Sequence, residues 1–201
     1  MSGIYWIYPV NWTETCVYCD METDGGGWTV IQRRTNGAVN FFRGWTDYKQ
    51  GFGDLSREHW LGNDNIHFIA SQGNYTLRID LESTDGIKKH AVYNCFVVGD
   101  ESSQYKLFVT SYDNYNSDLA DSMTYHNEMK FSTWDVDNDK RSNNCAFDEK
   151  KGGWWYNSCA NVNINGLYSA IASPGNFSLT YWYDWRGYEP MHNTVMMIRK
   201  N

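Results

Sequence analysis

No apolar run in this chain approaches the ~20 residues that a helix needs to cross a bilayer, which excludes a transmembrane helix. Nor is there a secretory leader: Met1-Ser2-Gly3 runs straight into an aromatic, strand-like segment, as in a cytosolic protein or an excised piece of an exported one. Positive charge is scarce. Lys and Arg number 17 against 24 Asp and Glu, a formal net charge of -7. The basic pairs Arg33-Arg34, Lys88-Lys89 and Lys150-Lys151 form no stripe interleaved with aromatics, so nucleic acid and anionic membrane are set aside as partners. Catalytic signatures are missing as well: there is no H-E-x-x-H, G-x-S-x-G or G-x-x-x-x-G-K-[ST]. The five His (His59, His67, His90, His126, His192) are scattered, and His126 reads as a surface or hydrogen-bonded residue. The adjacent carboxylates Asp148 and Glu149 imply acid/base work only if they face each other across a cleft. The chain does not read as an enzyme.

Proline is rare, three residues against 17 glycines, so turns punctuate the chain. Aromatics are abundant: ten Trp, fifteen Tyr and nine Phe, of which Trp and Tyr need partners for their polar tips once buried. A turn-rich α+β domain fits that profile. Residues 4–8 and 15–18 read as short strands. The Asp24-Gly25-Gly26-Gly27 turn precedes a strand over 28–33, closed by the Asn36-Gly37 turn. Residues 54–61 read as a short helix capped by Asp54 or Ser56. Residues 75–82 alternate apolar and polar, the period of a half-buried strand, and 91–98, 105–110 and 194–199 read as further strands. Between about 111 and 183 periodicity gives way to Asn, Asp, Ser and Gly. Loops of such length need a metal, a disulfide or dense side-chain hydrogen bonding to hold them.

Asp135-Val136-Asp137-Asn138-Asp139 places carboxylates at alternate positions in that region. Hard cations such as calcium take mixed carboxylate and carbonyl oxygens. An EF-hand is excluded, because counting from Asp135 puts Lys140 at the sixth loop position and Ala146 at the twelfth, where Gly and Glu belong. The run is compatible with a cation site and with a solvated loop whose Asp side chains cap local turns. Cys145 and Cys159 bracket a loop just after it, and closing a loop of about this size contributes about 3 kcal/mol in the chain-entropy model. Cys16 and Cys19 lie three apart in a strand, on opposite faces, with no second CxxC to complete a zinc site. The pairing of Cys16, Cys19 and Cys95 stays open. The sequons at Asn11, Asn74 and Asn176 are compatible with export.

Several blocks, in order, resemble the fibrinogen-like C-terminal domain. They include Tyr18-Cys19-Asp20-Met21, Gly26-Gly27-Trp28-Thr29-Val30-Ile31-Gln32-Arg33-Arg34, Gly51-Phe52-Gly53, Trp60-Leu61-Gly62-Asn63, Phe131-Ser132-Thr133-Trp134-Asp135, Gly153-Trp154-Trp155-Tyr156, Asn165-Gly166 and Met197-Ile198-Arg199. The resemblance spans essentially the whole chain. It implies one domain with an N-terminal lobe over 1–40, a central twisted antiparallel sheet with short helices over 41–110 plus 190–201, and a loop-rich lobe over 111–189 that binds calcium and ligand. It maps a Ca2+ ion onto the side chains of Asp137 and Asp139 and the carbonyls of Arg141 and Asn143. It pairs Cys145 with Cys159, places a cis peptide before Cys159, and matches Cys19 to a Cys whose partner in the family precedes Gly3.

The function implied is recognition by a secreted protein, oligomeric in its parent. Ficolins and tachylectins bind acetylated sugars, fibrinogen binds peptide knobs, and angiopoietins bind receptors. The corresponding ligand region here comprises Asp148, Glu149, Ala160, Asn176, Phe177, Trp182 and Tyr188. It departs from the acetyl-binding pattern: Ala160 replaces a His, Asn176-Phe177 replaces Tyr-Ala, Asp148 or Glu149 replaces a Tyr, and the loop between the cysteines is one residue longer. Trp182 and Tyr188 keep aromatic positions, while Trp154 and Trp155 read as core. The expectation is a lectin-like, innate-immune domain for microbial or host glycans, with a protein-binding module as the alternative.

Overall fold

The computed structural model describes residues 1–9, 13–171 and 175–201, so the sequon at Asn11 lies outside the described residues. The first strands form a meander of β1 (Gly3–Ile7), β2 (Thr15–Asp20) and β3 (Trp28–Arg34). The β2–β3 turn needs glycine: Gly26 sits at φ 80°, and a Cβ there would lie 2.5 Å from the Met21 carbonyl oxygen. Next come α1 (Trp45–Gln50), the two-residue strands β4 (Phe52–Gly53) and β5 (His59–Trp60), and α2 (Asn63–Ala70). The hairpin of β6 (Tyr75–Ser83) and β7 (Lys88–Val98) leads to β8 (Leu107–Tyr112). A long irregular segment holding α3 (Tyr183–Arg186) ends in β9 (Met191–Lys200).

Nine strands of the described residues make one sheet, ordered β1-β2-β3-β9-β6-β7-β8, with β5 on β3 and β4 on β5. β9 lies between β3 and β6, antiparallel to both. The sheet therefore runs through segment 1–40 as well as 41–110 and 190–201. β6 shows why it forms: Leu77, Ile79 and Leu81 are buried in the main core, while Arg78, Asp80 and Glu82 alternate onto the other face. On that second face Trp28, Val30 and Met197 make a smaller cluster, with the Arg199 guanidinium 4.2 Å from the Trp28 ring centroid. The main core is aromatic at its centre, where Phe131 lies 5.2 Å from Tyr48, 5.9 Å from Trp60 and 5.2 Å from Trp155.

The helix expected over 54–61 is absent and the segment is a hairpin connection. Gly53, at φ 92°, pairs with His59, and Asp54 accepts from the Ser56 amide at 2.9 Å, a side-chain turn that competes with helix formation. Glu58 is turned inward instead. Its carboxylate accepts from the amides of Thr35, Asn36, Gly37 and Val39 at 2.8–3.0 Å. Burial pushes the Glu58 carboxyl up, but these amides overcome that and hold it below the usual range. The strand expected over 105–110 starts later, at Leu107, because Gln104 and Tyr105 have φ of 60° and 51°.

Between the end of β8 and the start of β9 the described residues carry only short helical turns and isolated bridges, such as Ser132 with Trp154 and Leu167 with Leu179. Buried side chains do the joining. Gln32 donates from Nε2 to Ile164 O, Asn165 Oδ1 and Thr194 Oγ1 at 3.0–3.2 Å, tying sheet to loops. Asn163 donates to Lys150 O and Leu179 O, and Asn165 to Gly153 O. His126, fully buried, lies 2.8 Å through Nδ1 from Trp155 O, and its Nε2 accepts from the amides of Asn161 and Val162 at 3.3 and 3.0 Å. Those acceptor contacts fix the Nδ1–H tautomer, and burial holds the imidazole down to about 4. The Cys145–Cys159 disulfide is formed and the Ser158–Cys159 peptide is cis. Cys16, Cys19 and Cys95 are free.

Candidate recognition site

The acidic run sits on a loop directly before the disulfide. Asp135 is engaged elsewhere, accepting from the Trp45 amide and the Thr133 hydroxyl at 2.9 and 2.6 Å. Asp137 accepts from the Asp139 amide at 3.2 Å, and Asp139 accepts from the amides of Arg141 and Cys145 at 2.7 and 2.8 Å. Asp139 is raised above the usual carboxyl range by burial, opposed by those amides, with the neighbouring Asp137 adding to the rise. Among the described residues no hydrogen bond reaches the carbonyl oxygens of Arg141 or Asn143. The Arg141 guanidinium turns away to Glu149 and to Cys159 Sγ. Two crowded carboxylates and two free carbonyls make a donor set that fits a hard cation.

Beyond this loop lies a groove of about 510 Å³ lined by Asp148, Glu149, Gly175, Asn176, Phe177 and Ser178. Four of the sequence-predicted ligand residues, Asp148, Glu149, Asn176 and Phe177, meet there. The acidic loop holds two of them: Asn143 Nδ2 donates to Asp148 Oδ2 at 2.8 Å, and Arg141 pairs with Glu149. Tyr188 stands behind, its ring 4.5 Å from Phe177 and 5.0 Å from Tyr181. Ala160 is half-buried against the core and gives its carbonyl to the Tyr181 hydroxyl at 2.9 Å. Trp182 is not at the groove. It is fully buried, its indole N–H donating to Ala120 O at 2.8 Å, because the Val162 bridge turns the side chain into the core. Trp154 and Trp155 are core, as expected. The sequon asparagines Asn74 and Asn176 are exposed, and the latter borders the groove.

Lys150 belongs to this site, and sequence reasoning missed it. Its ammonium lies 5.4, 5.3 and 6.0 Å from the ring centroids of Phe177, Tyr181 and Tyr188, and 3.6 Å from Glu149 Oε2. Only 4% of the residue is exposed. Burial lowers its pKa, against the pull of Glu149. The signal available in sequence was the loop between the cysteines, which the family resemblance reads as one residue longer. Lys150 ends a π-helical turn over Ala146–Lys150, closed by Lys151 N donating to Ala146 O at 3.0 Å.

A second cavity, about 390 Å³ on the other face of the sheet, is lined by residues that pair among themselves. Arg78 bonds Asp80 at 2.7 Å, and Glu82 meets Asn193 at 2.7 Å and Lys88 at 3.7 Å. No helix of the described residues is long and apolar enough to cross a membrane.

Comparison with known proteins agrees with this architecture. Fibrinogen-like protein A of Apostichopus parvimensis is 51% identical over 83% of this chain, and the chain spans 59% of that relative's length. Human fibrinogen-like protein 1 is 44% identical over 100% of the chain and 68% of the relative, while chicken tenascin-R is 50% identical over 94% of the chain but only 14% of that protein. Among solved structures, the fibrinogen-like globe domain of human ANGPTL2 superposes with a TM-score of 0.95 at 43% identity, covering 100% of this chain and 93% of that one. Lamprey fibrin D-dimer, complexed with the peptide Gly-His-Arg-Pro-amide, superposes with a TM-score of 0.91 at 33% identity, covering 99% and 69%. The sequence pattern of the C-terminal globular domain of fibrinogen beta and gamma chains matches residues 1–201, and the protein belongs to that family, a family of binding modules and not of enzymes.

Proposed function

We propose that this domain is the recognition module of a secreted, oligomeric protein and binds glycan, microbial or host, in the groove beside the acidic loop. The observation that carries the reading is the make-up of the groove. Asp148, Glu149, Asn176 and Ser178 offer the acceptors and donors that vicinal hydroxyls need, and Phe177, 46% exposed, offers a ring for a sugar to pack on. Asp137 and Asp139, with the carbonyls of Arg141 and Asn143, would hold Ca2+, which would offset the two crowded carboxylates. The side chains of Arg141 and Asn143 then act as struts, reaching from the ion's loop to Glu149 and Asp148. The ion orders the groove and the ligand meets the groove.

A protein ligand is the second reading, favoured by the peptide held by the lamprey fibrin relative. A glycan array at high valency, with and without chelator, tests both: the expected result is a set of glycan signals lost with chelator and with D148A. No glycan signal in calcium would sink the first reading in favour of the second. Calcium at about 100 times its Kd should also stabilise the fold by about 2.7 kcal/mol, and D137A should remove that gain. A melting curve indifferent to calcium would refute the ion.

A further inference from the structure

We infer that Lys150 is the specificity determinant of the groove: its side chain is the resident occupant of an ammonium cage that a ligand's own cationic group would otherwise enter. This rests on the recognition reading above and names what the groove refuses.

The cage is built from Phe177, Tyr181 and Tyr188, which meet edge to face at 4.5 and 5.0 Å with interplanar angles of 81° and 80°. The Lys150 ammonium lies over all three, 5.3–6.0 Å from their centroids, within reach of the electron-rich ring faces. The ammonium within it has few other partners. An ammonium carries three N–H donors, and Lys150 makes one long bond to Phe177 O at 3.4 Å with a carboxylate oxygen of Glu149 at 3.6 Å. A buried charge so thinly hydrogen-bonded is costly unless its surroundings attract cations, and the rings supply that attraction together with the Glu149 carboxylate.

The position is set by the backbone and not by chance packing. The π-helical turn carries Lys150 inward, and Lys151, next in sequence at φ 56°, turns its ammonium out over Phe147 and Phe42 at 5.1 and 5.5 Å. Two adjacent lysines thus have opposite fates. Phe177 belongs to cage and groove at once, so what fills the cage decides what the groove can accept. With Lys150 in place, a ligand meets the outer surface of Phe177 and the Asp148 carboxylate, which keeps one oxygen free of the Asn143 bond. A ligand that must thread a trimethylammonium group between the rings finds the space taken.

The test compares wild type with K150A, which empties the cage, and K150M, which refills it without charge. Tetramethylammonium chloride serves as the probe, followed by aromatic NMR shifts of Phe177 and Tyr188, with circular dichroism and melting to establish that each variant is folded. K150A is expected to bind tetramethylammonium roughly tenfold more tightly than wild type, the scale of a desolvated cation–aromatic contact, while K150M stays as indifferent as wild type. Equal binding by wild type and K150A would overturn the proposal, as would a folded K150A with no shift at these rings, or K150M behaving as K150A does. Failure of the recognition reading looks different. The array would then be blank while the gain in K150A remained.

Discussion

From Leu77 to Glu82, β6 is flanked by ladders on both sides, to β7 and to β9, and its apolar side chains enter one continuous core. The lobe over 111–189 has no such frame. Its strands shrink to single bridges, and its irregular backbone is anchored by the side chains of His126, Asn163 and Asn165 and by one disulfide. The sheet spreads its stability over many replaceable contacts. The lobe concentrates it in a few polar groups, each buried and each serving several partners, and the groove of the proposed function is mounted on that half.

Truncating one such anchor should have the largest effect. H126A strands the amides of Asn161 and Val162 and the carbonyl of Trp155, and should cost about 4 kcal/mol in urea unfolding, since each buried polar group left alone costs about 1–3 kcal/mol. A loss under 1 kcal/mol would show that the lobe does not depend on its polar anchors. The same residue gives the lobe a pH dependence. Because burial holds the folded imidazole at about 4, below the usual 6.5, its contribution is whole above pH 6.5 and declines as pH falls toward 4. The decline should total about 3 kcal/mol by denaturation at a series of pH values, and H126N should flatten it. Opening the disulfide with the C145S/C159S pair should cost about 3 kcal/mol, read as a lower melting temperature. Amide exchange should then quicken over 137–160 before it does in β6. The smallest change is expected in the sheet, where I79V should cost about 1 kcal/mol because one methylene is lost from a core that can partly close. A cost matching that of H126A would erase the contrast.

The two halves also differed in how far the sequence disclosed them. Period-two alternation gave β6 away, because a strand with one buried face must alternate. The helix misplaced over 54–61 shows the limit: Asp54 and Ser56 serve a helix cap or a side-chain turn equally well, and only the inward Glu58, bonded to a loop some twenty residues earlier, decides between them. In the site, residue type and family pattern brought Asp148, Glu149, Asn176 and Phe177 to one groove. Trp182 was misplaced because an aromatic at a ligand position looks the same in sequence whether its indole faces solvent or Ala120 O. Lys150 escaped because its direction depends on a hydrogen bond shifting from i−4 to i−5, which composition does not encode.

The place of β9 has a consequence for biosynthesis. Thr29 pairs with Ile198 and Leu77 with the same residue, so the ribosome makes both neighbours long before the strand that joins them. Until β9 emerges, β3 and β6 present bare edges, open to pairing with other nascent polypeptides. Sequence separations this large also predict slow closure, on the scale of milliseconds to seconds. Keeping those two edges apart until β9 arrives is the demand this strand order places on the growing chain.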